Sequence, residues 1–189
     1  MNRAVFLDRD GVINRKAPEG EYITRLQDLV FLPRVAEAVQ ILRSQGFVII
    51  VVTNQRGVSR GKITLQDLEM IHREVASFFS TKDAPLDGIY FCPHEGGCEC
   101  RKPAPGMLLN AALEHKIDLR GSWLVGDSLS DILAGKQVGC STVLISAIPE
   151  SPPDMHPDFR ANSLWEAAKL IVQADLDRCR SKPEPSNQG

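Results

Sequence analysis

Two carboxylates lie two residues apart where an apolar segment ends, close to the amino terminus. Ala4–Leu7 is followed by Asp8, Arg9, Asp10 and Gly11. Alternate side chains of a strand point to the same face, so both carboxylates are expected on one side at the strand's carboxyl end. Such a pair suits Mg²⁺, which prefers oxygen ligands. One carboxylate could attack phosphorus while the other acts as general acid and base; a charged loop neutralised by Arg9 is the alternative.

A hydroxyl and two amides follow the second apolar segment, Val48–Val52. Because the carboxyl ends of parallel strands meet at one edge of a sheet, these groups are expected on the same rim as Asp8. Hydroxyl, amide and backbone N–H donors can bind phosphate oxygens, although a polar turn is the commoner use of such residues when they occur alone. The candidates for phosphate and substrate binding here are Thr53, Asn54, Gln55 and Arg56.

A further pair of acids follows the apolar segment Ser122–Val125. Asp127 is expected to complete a metal site with Asp8 and Asp10, since it also stands at the end of a predicted strand. Asp131 lies four residues later, on the first turn of a predicted helix, where an acid also suits the helix dipole. It is expected to support the site without binding the ion directly.

Arg101 and Lys102 precede Pro103 shortly after another predicted strand. A cation at this rim would balance the carboxylates and a bound phosphate, whereas a solvated basic pair is the alternative. The position of the pair favours a role in the site. We expect Lys102 to act on the transferring phosphoryl group and Arg101 to bind the rest of the substrate.

Three cysteines and one histidine occur within nine residues just before this basic pair, with two glycines between them. Thiolates and an imidazole in this number and spacing predict a tetrahedral, structural Zn²⁺ site. Such a closed site would fix the loop that carries Arg101 and Lys102. The expected ligands are Cys92, His94, Cys98 and Cys100.

Short apolar segments alternate with segments of helical periodicity along the chain. The predicted strands are Ala4–Leu7, Val48–Val52, Gly88–Phe91, Ser122–Val125 and Ser141–Ile145. The predicted helices are Arg34–Gln45, Thr64–Phe79, Pro105–His115, Ser130–Val138 and Leu164–Cys179. This alternation predicts one α/β domain over residues 1–180, doubly wound around a mainly parallel sheet and without a large cap domain.

Three features outside the motifs are expected to have no function of their own. Ile148–Pro157 is predicted to be an ordered surface loop, and residues 181–189 a disordered tail. The histidines outside the cysteine-rich loop are expected on the surface or on helices: His72, His115 and His156.

Composition and charge exclude several classes of protein. The 22 basic and 24 acidic residues give a net charge of -2, which argues against a nucleic-acid-binding protein. No apolar stretch approaches the roughly 20 residues that span a bilayer, so no membrane association is expected. Five cysteines, three of them clustered, make a poor disulfide framework. A cytoplasmic monomer acting on a small phosphorylated metabolite is expected.

In order and spacing, four motifs resemble those of the haloacid dehalogenase-like phosphatases, over residues 4 to about 145. The resemblance implies that Asp8 is the nucleophile and Asp10 the general acid and base. It implies that Thr53 and Lys102 stabilise the phosphoryl group, and that Asp127 binds Mg²⁺ together with the two aspartates at the first strand.

The cysteine-rich loop narrows this resemblance to the branch that contains heptose 1,7-bisphosphate 7-phosphatases and histidinol-phosphate phosphatases. Both share the pattern Cys-x-His…Cys-x-Cys-Arg-Lys-Pro. The loop is short, as is common in the histidinol-phosphate branch, but those domains are often fused to a dehydratase and this chain stands alone. We therefore expect hydrolysis of the 7-phosphate of D-glycero-D-manno-heptose 1,7-bisphosphate, a step of lipopolysaccharide biosynthesis. A histidinol-phosphate phosphatase and a zinc-stabilised, non-catalytic binding protein are the alternatives.

Overall fold

Six parallel strands form a single sheet in the computed structural model, which describes residues 1–145 and 156–180. The order across the sheet is β3-β2-β1-β4-β5-β6, so the first strand lies at its centre and the winding direction reverses beside it. Ligands of doubly wound sheets bind at the carboxyl ends of strands next to this reversal. The strands are β1 (Arg3–Leu7), β2 (Phe47–Asn54), β3 (Gly88–Cys92), β4 (Trp123–Gly126), β5 (Ser141–Ile145) and β6 (Phe159–Ala161).

Among the described residues, five α-helices connect and cover the strands, and a 3₁₀ turn at Leu26–Asp28 precedes the first of them. The start of α2 follows from sequence, since the Thr64 hydroxyl accepts a hydrogen bond from the backbone N–H of Asp67 at 3.0 Å. The helices are α1 (Val35–Ser44), α2 (Leu65–Ser80), α3 (Gly106–His115), α4 (Leu129–Gln137) and α5 (Leu164–Arg180).

Apolar side chains of β1 are buried on both faces of the sheet. Val5 and Leu7 contact the core that α1, α2 and α5 cover, whereas Ala4 and Phe6 contact the core under α3 and α4. A strand covered on both sides needs apolar residues at every position, which explains its uninterrupted apolar sequence. The buried central strands therefore hold the residues at their carboxyl ends in fixed positions.

The predicted fold class is confirmed: the sheet is parallel, the helices lie on both faces, and no cap domain separates the motifs. The five predicted strands and five predicted helices all occur, with ends that agree to within two residues; β5 has the predicted bounds at both ends. The sequence did not predict β6 or the 3₁₀ turn. β6 was not predicted because it has only three residues, of which Phe159 and Arg160 are exposed, so no apolar pattern marks it in the sequence.

Two predicted segments lie largely or wholly outside the described residues. These are most of the loop predicted at Ile148–Pro157 and the whole tail predicted at 181–189. Among the described helices, none has the length and apolar character needed to cross a membrane.

Candidate active site

Three neighbouring strands carry the predicted site residues to one edge of the sheet. Asp8 directly follows β1, Thr53 is the penultimate residue of β2, and Asp127 directly follows β4. Because β1 pairs with both β2 and β4, these residues meet although they are far apart in sequence. The backbone N–H of Asp8 donates to the carbonyl of Val125 at 2.9 Å, which holds the end of β1 against β4.

Lys102 is the cation at the centre of this edge. Its Nζ lies 2.7 Å from Asp8 Oδ1 and 2.5 Å from Asp131 Oδ1, and it donates to the carbonyl of Val52 at 2.6 Å. The lysine side chain is almost completely buried. One fixed positive charge therefore stands between two carboxylates in a place from which water is largely excluded.

The electrostatics of this group follow from its burial. Burial raises the pKa of Asp8 to about 7, although the charge of Lys102 acts in the opposite direction. Burial also disfavours the charged form of Lys102, but the carboxylates of Asp131 and Asp8 outweigh it and raise the pKa of the lysine. The charged form of Lys102 is thus favoured, whereas burial disfavours the ionised form of Asp8.

Carboxylate oxygens of Asp8, Asp127 and Asp131 all lie within 4.8 Å of one another. Three such oxygens around a small space suit a hard divalent cation, and an added cation would supply the charge that Lys102 alone does not. The neighbouring glycines make room for these acids. A Cβ on Gly11, whose φ is +92°, would lie 2.3 Å from Asp127 Oδ2, and one on Gly126 would lie 2.2 Å from Asp131 Cβ.

The carboxylate of Asp10 is not part of this group. Its Oδ2 accepts from Arg9 Nη2 at 2.8 Å and from Gln55 Nε2 at 2.9 Å, while its Oδ1 accepts from Asn14 Nδ2 at 2.9 Å. Burial would raise the pKa of Asp10, but the charge of Arg9 and these hydrogen bonds prevail and lower it. The predicted metal set of Asp8, Asp10 and Asp127 stays a prediction, and the side-chain geometry places Asp131 rather than Asp10 with the other two acids.

The polar residues at the carboxyl end of β2 make two sets of hydrogen bonds. The hydroxyl of Thr53 is buried and accepts from Gln55 Nε2 at 2.9 Å. Asn54 uses its side chain on the main chain of Lys102: its Nδ2 donates to the Lys102 carbonyl, and its Oδ1 accepts from the Lys102 N–H, both at 3.0 Å. Asn54 therefore holds the backbone of Lys102 in place, and its predicted role in substrate binding stays a prediction.

A cleft of about 360 Å³ opens above the carboxylates. Its walls include the segment from Lys16 to Ile23 and the guanidinium-bearing residues Arg56 and Arg101. Arg101 donates from Nη1 to the carbonyl of His94 at 3.2 Å, so the cysteine-rich loop helps to fix it. The cleft combines acids at its floor with cations on its walls, an arrangement that fits a phosphorylated ligand.

Four donor atoms of the cysteine-rich loop meet at one point. Sulfur–sulfur distances among the three cysteines are 3.0–3.5 Å, and His94 Nδ1 lies 3.6 Å from Cys92 Sγ and 3.3 Å from Cys100 Sγ. Tetrahedral Zn²⁺ with Zn–S bonds of about 2.3 Å separates its sulfurs by about 3.8 Å, so a small expansion would accommodate the ion. The predicted ligands Cys92, His94, Cys98 and Cys100 are therefore brought together.

Three residues make contacts in or near the site that the sequence did not predict. Asp131, expected to support the site from outside, joins the acidic group and contacts Lys102; its spacing of four from Asp127 was the available signal. Lys16 Nζ contacts Asp127 Oδ2 at 2.6 Å, which no local pattern indicated. His72, expected on the surface or on a helix, lies on α2 but is buried against Arg9.

Comparisons with known proteins agree with this geometry. The family model described as HAD-hydrolase-like matches residues 99–167. D-glycero-beta-D-manno-heptose-1,7-bisphosphate 7-phosphatase of Helicobacter pylori is 42% identical over 71% of this chain and 78% of that protein. The D-glycero-alpha-D-manno-heptose-1,7-bisphosphate 7-phosphatase of Burkholderia mallei is 38% identical over 82% of this chain and 93% of that protein.

Solved structures give the same relationship. The crystal structure of D,D-heptose 1,7-bisphosphate phosphatase from B. bronchiseptica, complexed with magnesium and phosphate, superposes with a TM-score of 0.81 at 29% identity. The match covers 91% of this chain and 99% of that one. Four ordered motifs, the parallel sheet and the extent of these matches lead to one conclusion. The chain belongs to the haloacid dehalogenase-like hydrolases, in the family of the D-glycero-D-manno-heptose 1,7-bisphosphate 7-phosphatases.

Proposed function

We propose that this protein is a phosphatase that removes the 7-phosphate of D-glycero-D-manno-heptose 1,7-bisphosphate through a phosphorylated Asp8. The observation that carries the proposal is the 2.7 Å contact between Lys102 Nζ and Asp8 Oδ1 at the floor of the cleft. A carboxylate at the carboxyl end of the central strand, beside a fixed cation, can attack an incoming phosphoryl group. The names of the relatives support the substrate, and both of its anomers occur among them.

In the first half of the reaction an oxygen of Asp8 forms a bond to phosphorus as the bond from phosphorus to the sugar oxygen breaks. Lys102 and the backbone donors at the strand ends oppose the negative charge of the phosphoryl oxygens. Asp10 first takes up a proton, from the bound phosphate monoanion or from solvent, and then gives it to the departing sugar oxygen. When bound by Asp8, Asp127 and Asp131, Mg²⁺ would supply further positive charge to the same oxygens.

In the second half water attacks the phosphorus of phosphorylated Asp8. Asp10 takes a proton from this water, phosphate leaves, and Asp8 is regenerated as a carboxylate. The hydrogen bonds from Arg9, Asn14 and Gln55 stabilise Asp10 in the ionised form that this step requires. The same residue thus acts as acid and then as base, as reversal of a single proton transfer demands.

The cations on the cleft walls would bind the part of the substrate that does not react. Arg56 and Arg101 both line the cleft, and guanidinium groups bind phosphate oxygens through paired hydrogen bonds. The 1-phosphate of the heptose carries the charge that these residues match, whereas the amine and imidazole of histidinol phosphate do not. We assign distal recognition to Arg101 with Arg56, and positioning of the reacting groups to Asn54 and Gln55.

Zn²⁺ held by the cysteine-rich loop would be structural. The last ligand, Cys100, is two residues from Lys102, and the next helix packs so closely that a Cβ on Gly106 would lie 2.4 Å from the carbonyl oxygen of Glu99. We infer that the ion fixes this segment and, with Asn54, sets the position of Lys102. We also propose that the enzyme works as a cytoplasmic monomer.

The test is phosphate release from both anomers of the heptose bisphosphate and from histidinol phosphate, with Mg²⁺ or with a chelator. We expect hydrolysis of a heptose bisphosphate, its loss on removal of Mg²⁺, and slow hydrolysis of histidinol phosphate. Asp8→Asn is the control: the nearly isosteric amide should retain the fold and abolish turnover. Preference for histidinol phosphate would overturn the substrate, and turnover by pure Asp8→Asn would overturn the covalent mechanism.

A further inference from the structure

Arg9 is a fully buried guanidinium, with 0% of its surface exposed. A buried charge destabilises a fold unless it is paired and hydrogen-bonded, so its contacts must be specific. Two of its nitrogens bind the carboxylate of Asp10: Nε donates to Oδ1 at 3.2 Å, and Nη2 lies 3.0 Å from Oδ1 and 2.8 Å from Oδ2. Arg9 therefore donates hydrogen bonds to both carboxylate oxygens of Asp10, the proposed general acid and base.

The third nitrogen of Arg9 contacts a histidine. Nη1 lies 3.3 Å from Nε2 of His72. Arginine has N–H donors and no acceptor, so Nε2 must accept the hydrogen bond and the ring hydrogen must reside on Nδ1. Burial, reinforced by the positive charge of Arg9, lowers the pKa of His72 to about 3, which agrees with a neutral ring.

The histidine is itself held by the packing of α2. Only 8% of His72 is exposed, and its ring lies 5.3 Å from the ring of Phe91 on β3, centroid to centroid. Ile71 and Val75 of α2 are buried together with His72. The imidazole is thus a fixed acceptor, delivered by a helix that carries none of the predicted catalytic residues.

We propose that His72 is a positioning residue: through Arg9 it fixes the orientation of the Asp10 carboxylate for proton transfer to the leaving oxygen. This rests on the proposed phosphatase function. His72 exchanges no proton. The proton moves from Asp10 to the sugar oxygen as the bond from that oxygen to phosphorus breaks and the bond from Asp8 to phosphorus forms. Without the acceptor at His72, one N–H of Arg9 has no partner, and the guanidinium can rotate away from Asp10.

Two variants separate positioning from packing. His72→Leu replaces the imidazole by an apolar side chain of similar size and so removes the hydrogen-bond acceptor. His72→Gln places an amide oxygen near the location of Nε2 and can accept from Arg9 again. Thermal unfolding of both variants reports whether either change disturbs the fold.

The readout is kcat/KM for an alkyl or sugar phosphate compared with 4-nitrophenyl phosphate. This parameter covers the steps up to departure of the leaving group, and nitrophenolate leaves without a proton from Asp10. We expect His72→Leu to lose about ten-fold on the sugar phosphate, the scale of one hydrogen bond to a charged group, and less than about two-fold on the aryl ester. His72→Gln should recover most of the loss.

Three outcomes would overturn the proposal. These are equal losses on the two esters, no loss in His72→Leu, and no recovery in a folded His72→Gln. A readout that needs no activity is the ¹⁵N spectrum of the imidazoles, where His72 should carry its hydrogen on Nδ1; hydrogen on Nε2 would also refute the contact. If the wild type hydrolyses no phosphate ester, both the proposed function and the role of His72 fail. If the wild type is active but His72→Leu loses activity equally on both esters, only the role of His72 fails.

Discussion

Replacement of Lys102 by methionine should destabilise the folded protein, and by an amount that depends on pH. The side chain of Lys102 is 2% exposed and neutralises both Asp8 and Asp131. Methionine has a similar length but no charge, so two buried carboxylates would lose their partner. Removal of one member of a buried ion pair costs about 3–5 kcal/mol, which is the loss of unfolding free energy expected at pH 8.

The loss should shrink in acid. Burial already raises the pKa of Asp8 to about 7, and removal of Lys102, which lowers that pKa, raises it further. The folded state then binds a proton more tightly than the unfolded state, where the pKa of an aspartate is about 3.9. Because the unfolded-state pKa is the same in both proteins, the loss varies only between their two folded-state pKa values: it is constant below about pH 7 and grows by about 1.4 kcal/mol per pH unit above it. We therefore expect the loss to be about 1.4 kcal/mol smaller at pH 5.5 than at pH 8.

Urea unfolding of the wild type and the variant at pH 8 and pH 5.5, in magnesium-free buffer, measures both quantities. Lys16→Met is the matched control, because Lys16 also contacts an aspartate but its side chain is 58% exposed. An exposed pair contributes less than about 1 kcal/mol, so this control should change stability little at either pH. Equal losses in the two lysine variants, or a loss in Lys102→Met that does not vary with pH, would refute the reasoning.

Three further predictions concern the zinc loop, the substrate and the glycine beside the acids. Wild-type protein should contain one zinc per chain by elemental analysis, and Cys98→Ser should lose it together with thermal stability and activity, whereas Cys140→Ser should keep its zinc. Arg101→Ala should lose about 1.5–3 kcal/mol of transition-state stabilisation on the heptose bisphosphate and much less on a simple monophosphate; equal losses would contradict distal recognition. Gly11→Ala should weaken Mg²⁺ binding in calorimetry because its Cβ would meet Asp127, whereas Gly20→Ala, at a similar positive φ but in open space, should not.

Sequence reasoning predicted the elements of this fold well because the strands are buried on both faces. The apolar segment at β1 has no other explanation than a covered strand, and the acids that follow it could be placed at the sheet edge from topology alone. The convergence of Cys92, His94, Cys98 and Cys100 could be predicted equally well, since these residues lie within nine positions, whereas the zinc ion itself stays a prediction.

The directions of individual side chains could not be predicted in the same way. The side chain of Asp131, rather than that of Asp10, lies beside Asp8 and Asp127, because Arg9 and two amides bind Asp10 and because Lys102 from a distant loop contacts Asp131. Which of these acids bind Mg²⁺ stays a prediction. Asn54 was predicted to bind substrate from its residue type, but its amide fits the backbone of Lys102. Each of these outcomes depends on a partner chosen in three dimensions, which no local spacing reports.

The central strand of the sheet is the first to be synthesised, and this order affects folding on the ribosome. β1 can pair with β2 once residue 54 has emerged, but its other edge has no partner until β4 is complete at residue 126. Both faces of β1 are apolar, so the growing chain exposes an aggregation-prone, unpaired strand edge until β4 has been synthesised. Pairing between strands so far apart also folds slowly. A nascent chain of this protein should therefore depend on chaperones until α4 has been made, and stalling before that point should lead to aggregation rather than to a partly active fragment.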